Sequence, residues 1–429
     1  MASNVSLGAE GGLRGKIKVP PSKSYTHRAV ITASLCHGKS RVYNPLVSRD
    51  TSATFEACRA MGADLEASDG NLTILGTEPH AAENVVNVEN SGTTLRFMTS
   101  VFALPERGRT ELTGDASIRK RPMQGLIDAL TMLGARVRSS LDNGCAPIIV
   151  GEGGIDGGEA EIRGDISSQF VSSILLSAPL ANGDSSLSVT NAVSRPYIEA
   201  TLHLSRLHGV EVEREGTSLF RILGKQEYRS GDFEVPADFS SAAFAMGAVA
   251  LVGGEVEFPG LVTSLPQGDS AMIEILRRLG VTVDARADSL IVRGDGNGLK
   301  GGSFDLSDSP DLVPMLSVLS LKCDGPLEIR GVAHSRFKES DRIGVAVDGL
   351  RKVGAKVEER SDGMQVLKPE NINSAILDAH DDHRMFMSFA VASLLAPGRI
   401  RVSGVESLDV SYPAFLDDVE KLGGKVMKY

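Results

Sequence analysis

The sequence predicts an α/β protein made of six copies of one β-α-β-α-β-β unit, grouped as two closed domains of three units each. Three features of the 429 residues point there: a helix-stop signature that recurs six times, an apolar helical run that recurs once per unit, and strand-like segments between them.

The helix-stop signature comes first, because an internal repeat decides the fold class. It reads M-G-A-D-L at Gly62, L-G-A-R-V at Gly134, H-G-V-E-V at Gly209, L-G-V-T-V at Gly280, V-G-A-K-V at Gly354 and L-G-G-K-V at Gly423, with steps of 69 to 75 residues. In each case an amphipathic helix ends at a glycine, which adopts the left-handed C-terminal conformation at little cost. A short β-type stretch follows. In the second unit, residues 122–133 place Met123, Leu126, Ile127, Leu130 and Leu133 at helical spacing, with Pro122 suited to the first turn. The apolar runs are Ala29–Leu35, Leu95–Leu104, Phe170–Leu180, Phe239–Val252, Val313–Leu321 and Met385–Leu395. Runs this apolar predict helices buried on nearly every side. Segments such as S-L-S-V-T, G-E-V-E-F and P-L-E-I-R supply strands. The long period and the divergence outside the two helices favour closed domains over an open solenoid. V-P steps at Pro20, Pro21 and Pro236 serve as hinges. They predict one domain of residues 21–236 and a second of 1–20 plus 237–429, which includes an N-terminal strand.

Composition narrows the function. Lys and Arg total 45 against 55 Asp and Glu, a formal charge of −10, which argues against a dedicated nucleic-acid binder. Cys36, Cys58, Cys145 and Cys323 are far apart in sequence and read as reduced thiols. No apolar run reaches membrane-spanning length, and the first residues lack a signal pattern, so a soluble cytoplasmic protein is expected.

The chemistry sits where each apolar run begins. P-S-K-S-Y-T-H-R (21–28), N-S-G-T-T-L-R (90–96), G-D-I-S-S-Q-F (164–170), P-A-D-F-S-S (236–241), S-D-S-P-D-L (307–312) and H-D-D-H-R-M (380–385) are rich in helix-capping residues. Helix N-termini attract anions, and a cation there is locally unfavourable. Lys23, Arg28, Arg96 and Arg384 nevertheless lie in these turns, which points to anionic ligands. An interdomain salt-bridge network is the structural alternative. G-D-A-S-I-R-K-R-P (114–122) groups Arg119, Lys120 and Arg121, either a phosphate or carboxylate contact or a solvated basic loop. H-S-R-F-K-E-S-D-R (334–342) sets Glu339 and Asp341 among Arg336, Lys338 and Arg342. Such a carboxylate among cations suits proton transfer beside an anionic substrate, and also suits an ordinary surface helix. His37, His80, His203 and His208 read as solvent-facing or locally bonded. His383, beside Asp382 and Arg384 at a helix start, is the more interesting histidine. Nothing has metal-ligand spacing, and neither a P-loop nor a dinucleotide fingerprint is present, so no metal and no cofactor is expected.

In this order, and over the whole chain, P-S-K-S-Y-T-H-R, N-S-G-T-T-L-R-F, G-D-A-S-I-R-K-R-P-M, G-D-I-S-S-Q-F, V-S-R-P-Y-I, S-D-S-P-D-L, F-K-E-S-D-R and D-D-H-R-M resemble the 5-enolpyruvylshikimate-3-phosphate synthase family. The resemblance implies an inside-out α/β barrel: two domains of three β-α-β-α-β-β units, helices inside, sheets outside, the active site in the cleft between them. It implies transfer of the enolpyruvyl group of phosphoenolpyruvate to the 5-hydroxyl of shikimate 3-phosphate, in aromatic amino-acid biosynthesis. It assigns Lys23, Gly92, Arg121, Gln169, Arg342 and Arg384 to phosphoenolpyruvate. Toward shikimate 3-phosphate it assigns Lys23, Ser24, Arg28, Ser167, Ser168 and Gln169, together with Ser194, Tyr197, Asp311 and Lys338. Asp311 and Glu339 become the acid–base candidates, and Lys23 a group that helps phosphate leave. Small anionic substrates are the expected partners, with no nucleic acid and no membrane, and the chain is expected to act as a monomer whose domains close on binding.

Two positions depart from some members of the family: Val410 stands where they have a lysine, and His334 where they have an asparagine. Gly92 occupies the position that governs room for glyphosate. The sister transferase acting on UDP-N-acetylglucosamine usually carries a cysteine where this chain has Ala116, which disfavours that acceptor. A non-catalytic phosphometabolite-binding scaffold would not need the acid–base candidates. An RNA-processing enzyme would need a basic face.

Overall fold

The structure is a computed structural model and describes residues 4–429; residues 1–3 of the expected second domain lie outside the described residues. The chain divides into two compact units, one of Pro21–Val235 and one that joins the N-terminal segment up to Pro20 with Pro236–Tyr429.

Among the described residues, twelve α-helices alternate in character. The first unit holds α1 (Lys23–Ser34), α2 (Arg49–Ala60), α3 (Gly92–Val101), α4 (Gln124–Met132), α5 (Ser168–Ser177) and α6 (Arg195–Leu207). The second holds α7 (Phe239–Val252), α8 (Met272–Arg278), α9 (Val313–Leu319), α10 (Arg342–Lys352), α11 (His383–Ser393) and α12 (Phe415–Lys421). The odd-numbered helices are the apolar runs, and almost every residue in them is buried. The even-numbered helices bury one face only. Each even helix is followed by the expected glycine, with φ between 81° and 109° at Gly62, Gly134, Gly209, Gly280, Gly354 and Gly423. One detail differs from expectation: α4 begins at Gln124, so Pro122 precedes the helix rather than occupying its first turn. Met123 takes the cap position, and its backbone N–H is held by Gly144 O at 2.8 Å.

Among the described residues, six four-stranded sheets accompany the helices, all with one topology. In the third unit, Gly158–Arg163 runs parallel to Ser185–Thr190, while Leu219–Ile222 pairs antiparallel with both Ser185–Thr190 and Val212–Glu215. This is the β-α-β-α-β-β unit, its parallel crossover made by α5. Three of these sheets take all four strands from one stretch of chain, and the other three take one strand from elsewhere in it. Phe233–Glu234 supplies the first strand of the sheet containing Gly38–Tyr43. The N-terminal segment supplies two strands rather than the one expected. Leu13–Lys16 runs parallel to Gly254–Pro259, and Val5–Ala9 sits between Ile400–Ser403 and Gly424–Lys428, antiparallel to both.

Helix packing is close enough to involve individual methylenes. A Cβ at Gly247 of α7 would lie 2.7 Å from Met315 Sδ of α9, and one at Gly349 of α10 would lie 2.5 Å from Phe389 Cζ of α11. In the first unit, α3 and α5 are joined by buried hydrogen bonds: Ser100 Oγ donates to Ser173 O (2.8 Å), and Ser173 Oγ to Arg96 O (2.6 Å). The sulfur atoms stay apart, so all four cysteines are free thiols. No described helix is long and apolar enough to cross a membrane.

Candidate active site

Four of the six helix starts are capped as the sequence predicts, while α1 and α9 have no side-chain cap. Ser91 Oγ accepts from Thr94 N (3.2 Å), Ser167 Oγ from Gln169 N (3.3 Å), Asp238 Oδ2 from Ser241 N (3.0 Å) and Asp382 Oδ1 from Arg384 N (2.9 Å). These caps fix the backbone from which the charged side chains project.

In the unit Pro21–Val235, Lys23 opens α1 and pairs with Asp50 of α2, Nζ to Oδ2 2.9 Å, both side chains largely shielded. Arg28, one turn on, is 2% exposed. Its Nε donates to Thr201 Oγ1 (2.7 Å), Nη1 to Ser24 O (2.9 Å) and Nη2 to Tyr197 O (3.0 Å), while its guanidinium lies 5.0 Å from the centre of the Phe97 ring. These partners are neutral oxygens and an aromatic face. Burial accordingly pulls the guanidinium down to about 10, only partly offset by Tyr25 and Tyr197. Arg96 Nη1 donates to Gln169 Oε1 (2.6 Å), and Gln169 Nε2 donates to Thr93 Oγ1 (2.8 Å), tying α3 to α5. Arg121 Nη2 donates to Asn90 Oδ1 (2.9 Å). Of the basic triplet, Arg119 and Lys120 are exposed and Arg121 is buried, so only the third joins this cluster. Gly92 sits beneath the two arginines: a Cβ there would lie 2.7 Å from Arg121 Nη1 and 3.3 Å from Arg96 Nη1. Ser168 and Ser194 are buried, and Ser194 holds a left-handed backbone (φ 53°, ψ 37°) at the start of α6. A non-glycine residue held there is mildly strained, as is common at ligand sites.

The other unit collects carboxylates on one arginine. Arg342, 1% exposed, donates from Nε to Asp382 Oδ2 (2.8 Å), from Nη1 to Asp311 Oδ1 (2.6 Å) and from Nη2 to Glu339 Oε2 (2.7 Å). Burial alone would lower its guanidinium, but Asp382, Glu339 and Asp311 together hold it well above the usual arginine range. Asp311 has three cations: Arg342, Arg384 (Nη2 to Oδ2 3.1 Å) and Lys338 (Nζ to Oδ1 4.0 Å). Burial raises the Asp311 carboxyl and Glu339 adds to that, yet Arg384, Lys338 and Arg342 outweigh both and keep it far below the carboxylate range. A clamped carboxylate beside a second one, among cations, is an arrangement for moving protons near developing negative charge.

The family assignment follows from comparison with known proteins. The profile of the EPSP synthase (3-phosphoshikimate 1-carboxyvinyltransferase) family matches residues 8–419. The chain belongs to the EPSP synthase family. Proteins named 3-phosphoshikimate 1-carboxyvinyltransferase from Methanocella arvoryzae and Nitrosopumilus maritimus are 43% and 42% identical to it, and each alignment covers 96% of this chain and 97% of the relative. A solved EPSP synthase structure from Acinetobacter baumannii superposes with a TM-score of 0.82 at 27% identity, covering 100% of both chains.

Within this chain, the residues assigned by resemblance fall into both clusters. Lys23, Gly92, Arg121 and Gln169 belong to the first unit, with Ser24, Arg28, Ser167, Ser168, Ser194 and Tyr197. Arg342, Arg384, Asp311, Lys338 and Glu339 belong to the second. His334 is buried in the turn Ala333–Phe337. Val410 is 4% exposed, so an apolar side chain is packed inward where some EPSP synthases have a cation. His208 is not local in its bonding as expected: it is buried, and its Nδ1 contacts Arg229 O, 21 residues on, at 2.8 Å. Among the described residues, no group of three or more His, Cys, Asp or Glu could hold a metal.

Three groups escaped the sequence reading. Asp50 is the partner of Lys23, and its only sequence signal is the capping sequence S-R-D-T that opens α2. His27 is fully buried, and its Nδ1 starts a chain through Thr54 (2.7 Å), Thr94 (2.6 Å) and Ser91 (2.6 Å) that links α1, α2 and α3. Burial, then Lys23 and Arg28, hold the imidazole well below its usual range, so it is neutral. Asp269 is 1% exposed and lies in a turn, P-Q-G-D-S, that reads as an ordinary loop.

Proposed function

We propose that this chain joins phosphoenolpyruvate to the 5-hydroxyl of shikimate 3-phosphate and releases phosphate, the reaction of the EPSP synthase family. The observation that carries the reading is the cluster in which Arg342 holds Asp311 and Glu339 while Arg384 and Lys338 also bear on Asp311. The 5-hydroxyl oxygen adds to C2 of phosphoenolpyruvate as its proton leaves, and C3 gains a proton and becomes a methyl group. Elimination then removes a proton from that methyl and expels phosphate, which restores the double bond. Asp311 and Glu339 serve the proton transfers, and Lys23 steadies the departing phosphate. Arg28, which has only neutral partners, and Lys338 receive shikimate 3-phosphate. Arg121, Gln169, Arg342 and Arg384 receive phosphoenolpyruvate, with Gly92 leaving room for it. Both clusters are needed. Because one chain supplies both, the same reading takes the protein as a cytoplasmic monomer, for which light scattering on a sizing column gives the mass of a single chain.

The test is phosphate release by purified protein given phosphoenolpyruvate with either shikimate 3-phosphate or UDP-N-acetylglucosamine. Release with shikimate 3-phosphate alone is expected. Release with the nucleotide sugar alone overturns the acceptor, and release with neither overturns the reaction.

A further inference from the structure

The hydrogen bonds that begin at His27 close on a single oxygen, Thr94 Oγ1, inside the unit Pro21–Val235. Thr94 Oγ1 lies 2.6 Å from Thr54 Oγ1, 2.6 Å from Ser91 Oγ and 3.5 Å from Asp50 O. Thr54 Oγ1 in turn lies 2.7 Å from His27 Nδ1, and all five residues are buried. Their hydrogens follow from the partners. His27 is neutral, so it carries one N–H, and its Nε2 has no hydrogen-bond partner among the described residues. A buried N–H without an acceptor is rarer and costlier than a bare acceptor nitrogen. The proton therefore sits on Nδ1 and is donated to Thr54 Oγ1. Thr54 donates onward to Thr94 Oγ1, and Ser91 donates to the same oxygen. Thr94 donates to Asp50 O, and every hydrogen of the chain has an acceptor.

This hub touches one substrate's side of the site. Asp50 holds Lys23 Nζ on Oδ2 at 2.9 Å. Ser91 caps α3 through Thr94 N (3.2 Å) and stands between Asn90 and Gly92. Asn90 Oδ1 accepts from Arg121 Nη2 (2.9 Å), and a Cβ at Gly92 would lie 2.7 Å from Arg121 Nη1. Lys23, Gly92 and Arg121 are all groups assigned above to phosphoenolpyruvate. Arg28, by contrast, is held by Thr201, Ser24 and Tyr197, none of which belongs to the hub. We propose that Thr94, backed by Thr54 and His27, is a positioning residue: it locks the turn at 90–92 to Asp50 and so sets Arg121 and Lys23 at a fixed spacing for phosphoenolpyruvate. The inference rests on the reaction proposed above. Thr94, Thr54 and His27 are each 0% exposed, so they act through these neighbours.

The experiment breaks the link at Thr54, a residue of α2 outside the proposed substrate contacts. Thr54→Val keeps the shape and loses the hydroxyl, whereas Thr54→Ser keeps the hydroxyl. In steady-state kinetics of the full chain, Thr54→Val should raise KM for phosphoenolpyruvate about tenfold, with kcat and KM for shikimate 3-phosphate within about threefold of wild type. Thr54→Ser should stay within about threefold throughout. A threonine that only supports the fold gives no such split. Thr54→Val with both KM values raised alike, or with neither raised, overturns the proposal, and so does Thr54→Ser behaving as Thr54→Val. If Thr54→Val does not fold, Ser91→Ala, which opens the other arm of the hub, decides by the same readings. Hydrogen exchange of the unliganded chain, followed by mass spectrometry over residues 90–96, separates the link from the reaction. Faster exchange there in Thr54→Val, and not in Thr54→Ser, is expected even if the wild type releases no phosphate. Exchange unmoved by Thr54→Val, or quickened equally by Thr54→Ser, overturns the hub and leaves the reaction standing.

Discussion

Arg28 and Arg342 are both buried arginines at the starts of helices, and they have opposite surroundings. Arg28 faces hydroxyls, backbone carbonyls and a phenyl ring, whereas Arg342 faces three carboxylates. The first charge is uncompensated within the protein and therefore suits an incoming anion. The second is already over-compensated, so beside its proposed contact with phosphoenolpyruvate it holds carboxylates at fixed positions. Burial alone does not distinguish an arginine left open to an anion from one that also scaffolds carboxylates. The charge of its partners does.

The sharpest way to separate the two regions is to neutralise the carboxylates. Glu339→Gln and Asp311→Asn are each expected to lose about a thousandfold or more in turnover, with circular dichroism unchanged. Near-normal phosphate release in either variant would remove that residue from the chemistry. Next in size is Arg342→Met, which removes the one cation shared by three crowded carboxylates and should cost about 3–5 kcal/mol of stability in denaturant titrations. Arg28→Met tests the opposite prediction. It should raise KM for shikimate 3-phosphate about a hundredfold while changing stability by less than about 1 kcal/mol, since it removes a buried charge that has no counter-ion. Equal destabilisation by the two arginine variants would break the comparison. A smaller effect is expected from Gly92→Ala, whose new methyl meets Arg121 Nη1 at 2.7 Å. Displacing that flexible tip should raise KM for phosphoenolpyruvate about tenfold with the fold intact. The smallest effect is in stability. A carboxyl whose folded value is raised holds its proton longer than the unfolded chain does, so its contribution is greatest below the ordinary carboxylate range and falls away as pH rises toward about 7. Asp269→Asn should therefore gain about 2–4 °C in melting temperature relative to wild type on going from pH 5 to pH 8, by differential scanning calorimetry.

The repeat was legible because its two helices obey local rules. A glycine that must take positive φ after each outer helix, and an apolar run too uniform for a surface, leave marks that survive divergence. The cationic side of the site was legible for a related reason: Lys23, Arg28, Arg96 and Arg384 stand where helix dipoles disfavour them. The carboxylates behind them were not. Asp50 and Asp269 lie in turns where an aspartate is unremarkable, and they acquire meaning only through tertiary neighbours, Lys23 in one case and Ser240 in the other. The exchange of strands was hidden for the same reason. Nothing in V-S-L-G-A says that it pairs with residues near the far end of the chain. Position along the basic triplet was also beyond local rules, since Arg119, Lys120 and Arg121 differ in burial and not in kind.

The strands at Val5–Ala9 and Leu13–Lys16 bear on how the protein is made. Val5–Ala9 pairs with Ile400–Ser403 and Gly424–Lys428, so this strand leaves the ribosome about 400 residues before its neighbours are made. At about 5–20 residues per second, that interval is roughly 20–80 s. Throughout it, a segment with four positions destined for burial hangs from the nascent chain, while Pro21–Val235 has been completed. Of the two bodies, the one with the split segment is thus begun earlier and finished later. A circular permutant that starts at Pro21 and carries residues 4–20 after Tyr429 would deliver those strands after their partners, and would shorten the wait to almost nothing.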